Sequence, residues 1–142
     1  MIEKKTGLAH CLHHDIHWEF CYDFDERVRV IKEDTPENER ELRLHLFQLV
    51  PDELLHYRDS LEWVAFVEAA VAFMEAGVAY DKAESALLSN VKGEVAHVEE
   101  RSAYVKARVA CGKAWGAYDK AWEAFLAKYQ PELDALHDKM FP

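Results

Sequence analysis

The sequence predicts a mainly α protein in which a small N-terminal module precedes a long antiparallel helical hairpin. Three observations predict it. Alanine and aromatic residues recur every seventh position over 65–92 and again over 103–130. The two blocks start 38 residues apart, which is not a multiple of seven, so the repeat breaks phase between them. Only 5 Gly and 4 Pro occur in 142 residues, half of them hydrophobic, as in a globular helical chain.

From Ala65 the first block reads AFVEAAV, AFMEAGV, AYDKAES, ALLSNVK, and from Ala103 the second reads AYVKARV, ACGKAWG, AYDKAWE, AFLAKYQ. With the aromatic at heptad position a, Phe66, Phe73, Tyr80 and Leu87 line the first helix, with Ala69, Ala76 and Ala83 at d. Tyr104, Cys111, Tyr118 and Phe125 line the second, with Ala107, Ala114 and Ala121 at d. Position g is alanine throughout: Ala65, Ala72, Ala79 and Ala86, then Ala103, Ala110, Ala117 and Ala124. Small residues at d and g predict close backbone approach, with the large a residues filling what remains. Glu75, Lys82, Lys113 and Lys120 fall on the outer face. One helix over 63–129 would run about 100 Å and leave most of its apolar stripe bare. The phase break beside Ser89, Asn90 and Gly93 therefore favours a reversal. Val91, Val95, Val98, Val105 and Val109 are the competing signal, a rotated stripe that could carry one helix straight through. Asp59-Ser60-Leu61-Glu62 resembles a cap for the first long helix, and Gln130-Pro131-Glu132 predicts a break before a short terminal helix from Leu133 and Leu136 to Met140.

The chain divides at about residue 58 into a module of 1–58 and a helical part of 59–142, read as one folding unit. In the module Ile16, Trp18, Phe20, Tyr22 and Phe24 alternate with polar residues or cysteine, which predicts a half-buried strand. Residues 8–13 can pair with it through a turn at His14 and Asp15. Asp23 and Glu26 stand at capping-box spacing. Thr35-Pro36-Glu37 predicts a second helix start, with Thr35 as N-cap. Residues 41–50 read either as helix or, through Leu42, Leu44 and Leu46, as strand; the capped start and Pro51 favour helix. Pro51-Asp52-Glu53 then predicts a short helix to Tyr57.

The net charge is −10, with 8 basic and 13 acidic residues in 1–58 and 9 and 14 in 59–142. Neither part offers the basic surface that displaces counterions from nucleic acid, so direct nucleic-acid binding is not expected. Three cysteines, an odd number, with a polar N-terminus and no stretch read as long enough to span a bilayer, predict a reduced cytoplasmic protein without membrane contact.

Tyr22-Asp23-Phe24-Asp25-Glu26-Arg27-Val28, Pro36 with Glu39, Arg43-Leu44-His45-Leu46-Phe47, the AYDKA heptads and the ending Pro131-Glu132-Leu133-Asp134-Ala135-Leu136-His137 together resemble uncharacterised small proteins of bacteriophages and metagenomic contigs. The resemblance covers most of the chain and implies a phage or prophage origin, with a heptad spacer of variable length. It implies no activity.

Several groupings could carry chemistry. His10, Cys11, His13, His14, His17 and Cys21 fall within twelve residues and supply imidazole and thiolate, the ligands zinc prefers. Their spacing matches no standard zinc motif, so the plainer expectation is no cofactor, with hydrogen-bonded imidazoles and buried thiols. Arg40 and His45 enclose four residues, as in some all-helical ribonucleases, but no second copy accompanies them. Asp23, Asp25 and Glu26 read as helix-start acids. Glu94 and His97 give a Glu-x-x-His spacing once, where a di-metal bundle needs two. Trp63, Trp115 and Trp122 either pack under the N-terminal segment or form an exposed aromatic anchor row for a partner or a second copy. No catalytic residue is singled out. The expectation is an acidic, non-enzymatic interaction protein that binds a host protein stoichiometrically, with defence-system proteins among the candidate partners. The alternatives are a homo-oligomerisation module, such as a homodimeric bundle, and a metal-binding protein.

Overall fold

The computed structural model describes residues 5–13, 16–89 and 94–142, the side chains of 12, 13, 16 and 94–97 excepted. Among these residues the chain forms strands β1 (Gly7–His13) and β2 (Ile16–Cys21), helices α1 (Phe24–Asp34) and α2 (Glu37–Leu46), strand β3 (Gln48–Leu49), and two long helices, α3 (Leu61–Ser89) and α4 (Glu94–Met140). It is mainly α with a small N-terminal sheet. Two compact units result: Met1–Arg58 together with Pro131–Pro142, and Asp59–Gln130.

In the first unit β1 is the centre of an antiparallel sheet of order β2-β1-β3. The register sets Gly7 opposite Cys21, Leu8 opposite Phe20, Ala9 opposite Glu19 and His10 opposite Trp18. The expected pairing of 8–13 with the aromatic strand is present; the turn assigned to His14 and Asp15 lies outside the described residues. Side chains alternate across a strand, so Ala9 and Cys11 face one way and Leu8 and His10 the other. Ala9, Cys11 and Cys21 form a core with Ile31 of α1 and Phe47, with Phe24, Val28, Leu44 and Leu49 packed around it. Phe24 and Phe47 stack at 5.0 Å. Leu8, on the opposite face, is buried, as are Val50, Leu55, Tyr57, Leu133 and Leu136. Gly7 opens β1 where a Cβ would meet the Tyr57 hydroxyl at 2.7 Å and the Arg58 guanidinium at 2.6 Å. That crowding arises because Tyr57 Oη accepts the Leu8 N–H at 2.9 Å.

Asp23 caps α1 as expected, accepting the Glu26 N–H at 3.2 Å. Three expectations are corrected. Helix α2 begins at Glu37 with Pro36, not Thr35, at its cap, and Thr35 is buried with its carbonyl accepting from Arg40. The helix stops at Leu46, since β3 gains sheet bonds to β1 at Ala9 and His10 that another helical turn would forfeit. After Pro51 the backbone makes a hydrogen-bonded turn, Leu54 N–H to Pro51 C=O at 3.0 Å, with no helix to Tyr57.

In the second unit Ser60 caps α3, its Oγ accepting the Trp63 N–H at 3.1 Å. Ring contacts run in reverse order along the two helices: Trp63 with Phe125, Phe66 with Trp122 and Tyr118, Phe73 with Trp115, Tyr80 with Tyr104. The hairpin is therefore antiparallel, and α3 and α4 are separate helices. Of the residues expected at the reversal, Ser89 ends α3, and Asn90 and Gly93 lie outside the described residues. Of the rotated valine stripe, Val98, Val105 and Val109 are more than half exposed, and Val91 and the side chain of Val95 lie outside the described residues. From 66 to 87 and from 104 to 125 every a and d position is buried or partly buried, and the pattern ends at Lys128, an exposed d residue.

Two further corrections concern the helices. The g alanines do not lie in the seam; all eight are exposed, and Ala70 at e is buried instead. Pro131 does not break α4, which continues to Met140. A proline costs one backbone bond and crowds the preceding turn, and burial of Leu133 and Leu136, each 1% exposed, offsets that loss.

Candidate functional site

The first candidate is a histidine cluster on the sheet face that carries Leu8. His10 is buried, and its Nδ1 bonds the Leu46 carbonyl at 2.7 Å. A carbonyl can only accept, so Nδ1 holds the proton, and Nε2 of the neutral ring accepts from His137 Nδ1 at 2.9 Å. His17 stacks on His10 at 6.0 Å, Trp18 meets it edge-on at 5.0 Å and Phe141 lies 4.7 Å away. Burial lowers the His10 pKa, the bond to Leu46 partly offsets this, and the neighbouring His137 and His17 lower it further.

Strand geometry divides the zinc ligands read from the sequence. His10 and His17 come together, and His137 joins them. Cys11 and Cys21 lie in the core on the other side of the sheet, where burial pushes their thiols up to about 12 and about 11. Such thiols stay protonated, and the thiolate is the ligand and nucleophile. No cysteine is in a disulfide. His14 and the side chain of His13 lie outside the described residues. Among the described residues no three His, Cys, Asp or Glu side chains are grouped closely enough to hold an ion.

The other polar candidates have structural partners. Arg40 donates to the Thr35 carbonyl, and the His45 ring packs on Phe141 at 5.4 Å. Asp25 pairs with Lys5 at 3.6 Å, and Glu26 with Arg29. The side chains of Glu94 and His97 lie outside the described residues. A shallow cleft of about 310 Å³ beside α1 is lined by Glu19, Cys21, Asp23 and Arg27, and Arg27 spans it to Glu19 at 3.6 Å.

The second candidate is the hairpin surface. The three tryptophans do not form one exposed strip. Trp63 is buried between Phe66 and Phe125, and Trp122 is half-buried against the same two rings. Trp115 lies on Phe73 and Tyr118 and remains 53% exposed. At the other end of the seam Tyr80 and Tyr104 share a hydroxyl hydrogen bond of 3.0 Å. Lys128 and Glu62 pair at 2.8 Å, and that bond holds the Glu62 carboxyl below its usual range. Outside the seam Val64, Val71 and Val78 stand at successive f positions, each more than 40% exposed. By length and composition α3 is apolar enough to cross a membrane, with a mean hydropathy of 1.4 over its most apolar window and 17% of that window buried. That corrects the expectation that no stretch approaches this character, because charges within 63–80 are confined to Glu68 and Glu75.

Sequence reasoning missed His137 and Phe141 as companions of His10. The Leu133, Leu136 and His137 spacing was legible as one helical face, but its docking onto β1 depends on a contact 127 residues away. Comparison with family models, curated proteins and solved structures found no match.

Proposed function

We propose that the protein works by stoichiometric association with another protein surface and that the hairpin is the contact element. The observation that carries this reading is the bareness of α3. Its a and d positions are sheltered by α4, yet Val64, Val71 and Val78 and all four of its g alanines stand in solvent. Apolar side chains left in water along successive heptads mark a surface that a partner covers. The acidic net charge of −10 would discourage nonspecific contact with other acidic surfaces and leave recognition to shape and local charge. The resemblance to small phage-encoded proteins would place this association in a bacterial cytoplasm, with a host protein or a copy of the chain itself as the partner.

The test is photo-cross-linking in bacterial cells with a photoreactive residue placed in turn at Val64, Val71, Ala72 and Val78. A discrete adduct from one or more positions is expected. Cross-linking only to water or lipid at every position would overturn the reading.

A further inference from the structure

We infer that the alanine-lined face of the hairpin is a homodimer interface, on which a second copy of the chain lays its α3 over α4 to complete a four-helix bundle. This rests on the reading above and names the partner. Reversing a helix about an axis normal to the hairpin keeps matching heptad columns on the same side. The e columns of α3 and α4 therefore share one face of the hairpin and the g columns share the other. The chain partly covers the e face itself: there Trp122 and Trp115 of α4 lie on the rings of Phe66 and Phe73, and Ala70 of α3 is buried. The g face is left open, with Ala65, Ala72, Ala79 and Ala86 beside Ala124, Ala117, Ala110 and Ala103, every one exposed.

Charge says what covers it. The c columns border this face on its outer edges, with exposed Glu68, Glu75 and Lys82 along α3 and exposed Lys106, Lys113 and Lys120 along α4. The contacts of Trp63 with Phe125, Phe66 with Trp122 and Phe73 with Trp115 fix which residues stand level across the hairpin. On that scale Glu68 is level with Lys120, and Glu75 with Lys113. A second copy rotated by half a turn about an axis parallel to the helices sets its α3 over the first copy's α4, antiparallel and at the same height. Glu68 then meets Lys120 of the other copy, Glu75 meets Lys113, and the two-fold axis repeats both pairs. Lys82 and Lys106 fall level at the reversal end, the one like-charged rung. The competing two-fold axis, perpendicular to the helices, would set α3 on α3 and α4 on α4. It would bring Glu75 against Glu75, Lys113 against Lys113 and Lys106 against Lys120, with Glu68 against Lys82 as its one favourable pairing. Like charges at the interface disfavour that arrangement and opposite charges select the first. Alanine at every g position lets the backbones approach to the short end of the usual 8–10 Å helix spacing.

The test uses the full chain in sedimentation velocity and light scattering, with circular dichroism as a fold check. Wild type is expected at twice the chain mass. The double variant Glu68→Lys/Glu75→Lys should dimerise about tenfold or more weakly, and so should Lys113→Glu/Lys120→Glu, because four pairs become repulsive in each. All four positions are exposed, so helicity should not change. Mixing the two double variants should restore a dimer, since the four reversed pairs then carry opposite charges again. A wild-type monomer at all concentrations, a dimer indifferent to the charge reversals, or no rescue on mixing would each overturn the inference. If the photoreactive residue at Ala72 instead yields a discrete adduct with a different protein, the homodimer fails while the association reading stands. Flotation of wild type with anionic or neutral lipid vesicles, unaffected by the charge reversals, would overturn both.

Discussion

The two units hold themselves together by opposite strategies. In Asp59–Gln130 one short pattern repeats, and each heptad of α3 meets one heptad of α4. In Met1–Arg58 with Pro131–Pro142 nothing repeats: three short strands, two helices and a helical segment from the far end of the chain each contribute a few side chains to a layered core. The repetitive unit tolerates exposure along its length, because losing one rung leaves its neighbours paired. The layered unit concentrates its stability in a few contacts between residues distant in sequence. Repetition favours a surface of regular spacing, whereas layering favours a fixed cluster of side chains such as that around His10.

Four measurements break or sharpen this contrast. The largest effect is expected at the well-packed end of the seam: Phe125→Ala, which removes a fully buried ring shared by Trp63, Trp122 and Tyr129, should cost about 3–5 kcal/mol in denaturant unfolding. The same truncation at Tyr104, half-exposed near the reversal, should cost markedly less, and equal losses would deny the rung-by-rung picture. Next, Leu136→Ala should destabilise the first unit by about 2–5 kcal/mol. It should also speed hydrogen exchange in β1 despite the sequence distance; unchanged exchange there would separate the terminal segment from the core.

Gly7→Ala comes third. Its new methyl must displace the Tyr57 hydroxyl from the Leu8 N–H, at a cost of about 1–3 kcal/mol, and pairing it with Tyr57→Phe should make the losses non-additive. The smallest effect is acid sensitivity. The folded His10 pKa lies below its unfolded value of about 6.5, so the folded state binds fewer protons. Its contribution is fully present above about pH 6.5 and is lost as pH falls below that, by at most about 1.4 kcal/mol per pH unit for one proton. Near-ultraviolet spectra of Trp18 should follow the loss, and His10→Gln should flatten it. A slope of the opposite sign would mean that His10 is charged when folded.

Residue spacing was enough to predict the hairpin and the a and d positions of its seam, because a seven-residue period is a local property that one helix displays without knowing its partner. It also determined the strand pair and the Asp23 cap, both written in side-chain spacing over fewer than twenty residues. Packing of the two helices chose the flank on which Ala70 is buried, since alanine at g and alanine at e look alike in a sequence; the indole of Trp122 on Phe66 breaks the tie. Tertiary structure likewise ended α2 at Leu46, where β1 offered backbone bonds, and carried α4 through Pro131, where buried leucines outweighed a lost one. It drew His137 to His10 and turned Cys11 and Cys21 away, because neighbours along a strand face opposite sides and a distant helix can face either.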